Sequence, residues 1–158
     1  IPEVYSISPD ETEWSPRASA PGPVFQASGC VLDGKIYVAA GPSSGCPGLF
    51  VYNPASDSWS QVERPVKPVP GAPLCTAFDG RVWVLGGRGK GGGQTATCIY
   101  TPESNQWQVG PDIPLPSSWA AAADADGRLL IAGGAYEDDL VGGYFNTDRV
   151  FFLRQEHC

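Results

Sequence analysis

The chemistry open to this chain is limited first by its single histidine, His157, the next-to-last residue of the sequence. A hydrolytic triad needs a positioned base, and metalloenzymes draw on several imidazole, thiolate or carboxylate ligands, so the histidine-based chemistries are nearly excluded. His157 reads as an exposed tail residue. Glu137-Asp138-Asp139 could hold a divalent cation through hard oxygens, although three successive acids read more simply as a solvated loop. Arg88-Gly89-Lys90-Gly91-Gly92-Gly93 has the look of a phosphate cradle. Such a loop should lead into a helix N-terminus, and here a strand follows, so it is read as a flexible, basic inter-strand loop. Asp33, Asp79, Asp124 and Asp126 invite an acid/base scheme, but hairpin geometry, or nearness to it, accounts for three of them. No catalytic residue, metal ligand or cofactor is assigned.

The five cysteines (Cys30, Cys46, Cys75, Cys98 and Cys158) are odd in number, widely spaced and without a CxxC pair. That pattern argues against both a disulfide framework and a zinc site. Cys30, Cys75 and Cys98 sit among apolar or small residues, where a thiol acts as a small hydrophobe. None of Asn53, Asn105 and Asn146 lies in a glycosylation sequon, and a reducing, cytoplasmic setting is expected. The net charge of −7 comes without a basic cluster. Phosphate backbones need a stripe of Lys and Arg, so nucleic acid is not an expected partner. No apolar run approaches the ~18 residues of a membrane span, so no membrane partner is expected either. The chain contains no Met and opens on Ile-Pro-Glu, which suggests a processed or partial chain.

The elements that position these residues are set by an internal repeat. Asp-Gly pairs recur at Asp33-Gly34, Asp79-Gly80 and Asp126-Gly127, each followed by a short apolar run ending in small residues: Ala40-Gly41, Gly86-Gly87 and Gly133-Gly134. Tyr52-Asn53-Pro54 is echoed by Tyr100-Thr101-Pro102, and tryptophans recur at Trp14, Trp59 and Trp107. Asp-Gly between apolar runs marks a two-residue hairpin in which both residues take positive φ. The closing glycines let a strand end approach neighbouring backbone. One Trp per repeat is large enough to fill the wedge between adjacent sheets, so Trp59 and Trp107 are expected to be buried there. Four short strands repeated about every 47 residues describe a propeller blade.

On these landmarks the sequence resembles the kelch-repeat family. The double glycines at 86–87 and 133–134, the Tyr before Asn53 and Thr101, and the Trp seven residues after that Tyr all match. The first repeat departs with Ala40-Gly41, and the third lacks Tyr-x-Pro and Trp, ending in Val150-Phe151-Phe152-Leu153. WD40 marks (Gly-His, Trp-Asp) are absent, and Ser56-Asp57-Ser58-Trp59 only brushes a sialidase box.

The resemblance implies an all-β, kelch-type β-propeller of four-stranded antiparallel sheets. About three blade-equivalents are present, a partial or half propeller. Residues 1–17 supply the outer strands of an incomplete blade, 25–62 and 72–110 are blades, and 118–154 form a final incomplete one. Closed propellers have at least about four blades, so a homodimer or a complementing propeller half is expected.

The function implied is an adaptor or scaffold that holds a protein or peptide partner through its inter-strand loops. Cullin-ligase substrate adaptors and actin-associated scaffolds are the family roles. The alternative is an enzyme-associated kelch propeller, an oxidase or specifier-type lyase, whose active site needs residues absent here. The loops between second and third strands, and those between blades, hold Arg17, Ser43, Ser44, Arg64, Lys67, Arg88, Lys90, Ser117 and Ser118. Arginine can fork onto a carboxylate and serine can adapt to peptide backbone, so these residues are the expected partner-binding set.

Overall fold

The computed structural model describes residues 3–41, 48–63, 65, 70–89, 92–138, 143–146 and 150–154, with backbone alone for 136–138, 143–146 and 151–154. Every regular element among them is a strand. β1 (Val4–Ser6) and β2 (Ser15–Arg17) form an antiparallel hairpin. β3 (Ser28–Leu32), β4 (Lys35–Ala40), β5 (Gly48–Asn53) and β6 (Ser58–Gln61) make a four-stranded sheet in chain order. A second four-stranded sheet has β7 (Leu74–Phe78), β8 (Arg81–Leu85), β11 (Thr97–Thr101) and β12 (Gln106–Val109) in the same order. The last sheet orders β13 (Ala121–Asp124), β14 (Arg128–Ala132) and β17 (Val150–Arg154).

The stretches expected as loops around Arg88–Gly93 and Glu137–Asp139 carry short ladders of their own. β9 (Arg88–Gly89) pairs with β10 (Gly92–Gly93), and β15 (Ala135–Asp138) with β16 (Gly143–Asn146). Glu137 and Asp138 thus belong to a strand, whereas Asp139 and His157 lie outside the described residues.

The tight turns follow from the Asp-Gly pairs. Asp33, Asp79 and Asp126 have φ of 49°, 52° and 54°, and Gly34, Gly80 and Gly127 lie at 66–70°. Two positive-φ residues in succession match the right-handed twist of the flanking strands. The innermost strands β3, β7 and β13 pack side by side, so the propeller axis runs along them.

Alternation along each strand divides the apolar residues between two seams. Toward the first sheet, the second presents Cys75, Val82, Val84 and Tyr100, which meet Tyr37, Ala39 and Leu49. Toward the third it presents Leu74, Phe78, Trp83, Leu85 and Ile99, packed on Leu129 and Ile131. Covered on both sides, β8 is a nearly continuous apolar run, Arg-Val-Trp-Val-Leu, as a doubly buried strand must be. β3 has only one covered face. Val31, on the other, is 64% exposed.

The tryptophans correct one expectation. Trp59 and Trp107 are half-buried rather than enclosed between sheets, because they stand on the outer strands β6 and β12. Each lies on its own blade's tyrosine, with ring centroids 5.1 Å apart for Tyr52–Trp59 and 5.2 Å for Tyr100–Trp107. Each indole N–H reaches back to the chain leaving the preceding blade: Trp59 donates to Ala18 O and Trp107 to Glu63 O, both at 2.8 Å.

The tyrosine hydroxyls in turn donate to the positive-φ residue of the outer hairpin. Tyr52 bonds Asp57 Oδ1 at 2.7 Å and Tyr100 bonds Asn105 Oδ1 at 3.0 Å. Asp57 also accepts the Ala18 N–H at 2.8 Å. That bond first, and the Tyr52 hydroxyl second, hold its carboxyl below the usual range.

Two glycine substitutions separate turn geometry from blade contact. Gly80 has φ +66° and nothing within 4 Å of a Cβ position, so Gly80→Ala carries only the left-handed penalty, about 1–2 kcal/mol. At Gly87, φ is +98° and a Cβ would lie 2.8 Å from Gly71 O and 2.9 Å from Pro70 Cβ. Urea unfolding should therefore show Gly87→Ala to be the more damaging change; equal losses would contradict the contact.

Candidate functional site

A recess of about 260 Å³ opens at one end of the innermost strands, lined by Gln26, Ala27, Ser28, Ala72, Pro73, Trp119 and Ala120. These residues come from three successive repeats. Gln26, Ala72 and Trp119 each stand seven positions before the Asp of their repeat's Asp-Gly turn. All three adopt positive φ, at 52°, 46° and 56°. A left-handed backbone at a non-glycine residue is uncommon, and its recurrence at one register position makes it part of the repeat. It is the bend at which the chain enters each innermost strand.

The bend is held by a short backbone bridge. Gly71 and Arg88 exchange N–H···O bonds of 2.8 and 2.6 Å, and Ser118 and Ala135 exchange bonds of 3.0 and 2.9 Å. In both pairs the residue before the bend meets the residue after the double glycine. The glycines are required by proximity: a Cβ on Gly86 would sit 2.6 Å from Ser117 O, and one on Gly134 2.7 Å from Ser117 Oγ. Gly87 N–H donates to Ser117 O at 2.7 Å, tying the second blade to the chain entering the last. Gly41 makes the corresponding close approach in the first repeat, where a Cβ would run into Pro70 O. Ala40 can stand for the first glycine of the pair, and it is fully buried.

The side chains on this common backbone differ. Trp119 is 49% exposed, a broad apolar surface with an indole N–H. Ala72 is buried and Gln26 is partly exposed. Ser28 Oγ accepts the Cys75 N–H at 3.1 Å, which joins the first two innermost strands just beneath the recess. Among the described residues no group of three or more His, Cys, Asp and Glu is placed to hold a metal ion.

The sequence-derived binding set divides into four groups. Arg88 is exposed and bridged to Gly71, next to the recess wall at Ala72. Arg17 lies away from the recess, on the β1–β2 hairpin, where its Nε donates to Ser6 Oγ at 2.8 Å. Ser117 and Ser118 are each only 3% exposed, which corrects their assignment to an open loop. They belong to the buried stretch entering the last blade, where Ser118 Oγ donates to Ala135 O at 3.1 Å. Ser43, Ser44, Arg64, Lys67 and Lys90 lie outside the described residues. Sequence reading missed Gln26, Ala72 and Trp119. Their shared offset from Asp-Gly was available, but three dissimilar side chains make no motif.

The comparisons with known proteins agree with this geometry. The family described as Kelch motif matches residues 23–65. Kelch-like protein 35 of Mus musculus is 31% identical over 151 residues, covering 95% of this chain and 25% of its own length. The chain belongs to the kelch-repeat family. Kelch-like protein 33 of Homo sapiens is 27% identical, with 77% of this chain and 24% of that protein aligned. Beta-scruin of Limulus polyphemus is 24% identical, over 83% of this chain and 15% of its own. The kelch chain thus spans about a quarter or less of these relatives. Among solved structures, that of YjhT superposes with a TM-score of 0.71 at 17% identity, covering 85% of this chain and 54% of the other, which supports the fold.

The two neighbouring serines give a test. Ser117 Oγ is buried without a hydrogen-bond partner among the described residues, so Ser117→Ala should be neutral or stabilising, whereas Ser118→Ala should cost about 1 kcal/mol. A loss at Ser117 as large as that at Ser118 would show that Ser117 Oγ is engaged.

Proposed function

We propose that this kelch segment is a binding module, an adaptor or scaffold that seats a protein or peptide against the recess at the ends of its innermost strands. The observation that carries this reading is the pairing of a constant backbone with variable side chains. Gln26, Ala72 and Trp119 share one register and one left-handed bend, yet offer an amide, a methyl and an indole to a single cavity. A rigid frame presenting dissimilar groups at equivalent points is the arrangement expected of recognition, since binding residues concentrate where a scaffold positions them. Aromatic anchors supply large contact area at low entropic cost. Arg88, exposed and bridged through its backbone to Gly71 beside the recess, is of a type that suits a carboxylate on the ligand. Curated relatives bearing kelch-like names support the same reading.

The reading extends to assembly. β3 leaves Val31 uncovered, and Phe25, just ahead of it, is 58% exposed. The outer hairpin β1–β2 contributes no innermost strand to cover that face. We infer that further blades cover it, from a second copy or from a complementing propeller half, and close the recess into a ring.

Two measurements check these points. Peptides selected from a displayed random library on the immobilised protein should bind at least tenfold more weakly to Trp119→Ala, and more weakly to Arg88→Glu. They should be unaffected by Trp14→Ala, on the outer hairpin. Equal binding by wild type and Trp119→Ala would remove the recess from recognition. Sedimentation of the isolated 158-residue chain should show self-association; a stable, cooperatively unfolding monomer would show that the uncovered face needs no complement.

A further inference from the structure

The cysteines that sequence spacing left unpaired are brought together by the first seam. Cys30 on β3 and Cys75 on β7 belong to different blades, and their sulfurs lie 3.7 Å apart. The pairing follows from strand alternation. Cys30 stands three residues before its Asp-Gly turn and faces the following blade, whereas Cys75 stands four before its own and faces the preceding one. One step of difference in register turns two non-equivalent positions toward each other.

We propose that Cys30 and Cys75 are a thiol-oxidation site, which a low-molecular-weight disulfide such as oxidised glutathione converts into a covalent link between adjacent blades. A disulfide requires the sulfurs to close to about 2.05 Å, so the pair must approach by roughly 1.7 Å. The two thiols differ in the way the reaction needs. Cys30 is half-buried, and hydrogen bonding with Cys75 lowers its pKa. Cys75 is enclosed, and that hydrogen bond followed by burial pushes its pKa up. Since the thiolate is the attacking species, Cys30 attacks first.

The Cys30 thiolate displaces one glutathione thiolate from the oxidised dimer and forms a mixed disulfide. Cys75 then loses its proton and attacks the Cys30 sulfur, expelling the second glutathione. Two protein thiols and one small disulfide become one protein disulfide and two small thiols, with atoms and electrons balanced. In a reducing medium the pair rests as two thiols. The inference is independent of what the recess binds.

The test uses the protein with Cys46→Ser and Cys158→Ser, which removes the cysteines outside the described residues. After incubation with oxidised glutathione and alkylation of remaining thiols, trypsin cleaves after Lys35 and so separates Cys30 from Cys75. Mass spectrometry should find peptides 18–35 and 36–81 joined, lighter by two hydrogens than their sum, with Cys98 alkylated. Cys75→Ala should accumulate glutathione on Cys30, because the resolving thiol is gone, and Cys30→Ser should give neither product. Should Cys75→Ala fail to fold, the wild-type pair and Cys30→Ser still decide the matter. Stable glutathione on Cys30 with Cys75 present, or both thiols left free after excess oxidant, would overturn the proposal.

Discussion

Each blade has an apolar face that only the next blade can cover, and the rest of the structure depends on that constraint. A single sheet exposing Val82, Val84 and Tyr100 on one side and Trp83, Leu85 and Ile99 on the other could not remain in water. Burying one such side chain contributes about 1.5–3 kcal/mol, and the second sheet has several on each face. Stability is therefore shared between neighbours, as in other stacked repeats. The other devices keep this stacking in register. The indoles of Trp59 and Trp107 hold the outer edge to the preceding segment. Gly41, Gly86, Gly87 and Gly134 let the chain pass at the inner edge without a clash.

The recess is a consequence of the same stacking. Because each innermost strand is entered through a left-handed bend, the bends gather at one end of the axis. Backbone hydrogen bonds beside two of the bends are satisfied locally by the Gly71–Arg88 and Ser118–Ala135 bridges, so the bend itself does not depend on which side chain stands there. That freedom is what allows Gln, Ala and Trp at equivalent positions. The buried Ser117 and Ser118 show the opposite case, where closeness to Gly86, Gly87 and Gly134 leaves room for little else.

The fold was legible because its strongest signals are local. Asp-Gly needs two positive φ values, a double glycine needs backbone proximity, and both recur with one period. The inner hairpins follow from the Asp-Gly turns, and the outer strands of the two four-stranded sheets from Tyr52 with Trp59 and Tyr100 with Trp107. The site was less legible, for physical reasons. Positive φ at Ala72 and Trp119 goes with the bridge beside each, and Gln26 adopts it at the same register, so residue type does not signal it. Burial of Ser117 and Ser118 depends on contacts with glycines 16 to 31 residues distant, and a serine pair between prolines and tryptophan looks like surface loop. The half-burial of Trp59 and Trp107 depends on which strand is outermost, which a period alone does not say. The approach of Cys30 to Cys75 needs the facing direction of two strands in different blades, information that exists only after the sheets are stacked.

The most direct test of seam-based stability is native-state amide exchange on the isolated chain, held below the concentration at which it self-associates and read strand by strand by mass spectrometry of proteolytic fragments. If the seams carry the fold, amides of β8, covered on both faces, exchange only through global unfolding. Those of β3, covered on one face, exchange through a lower-energy opening, and those of the β1–β2 hairpin exchange fastest. Equal protection of β3 and β8, or a β8 that opens before β3, would contradict the account.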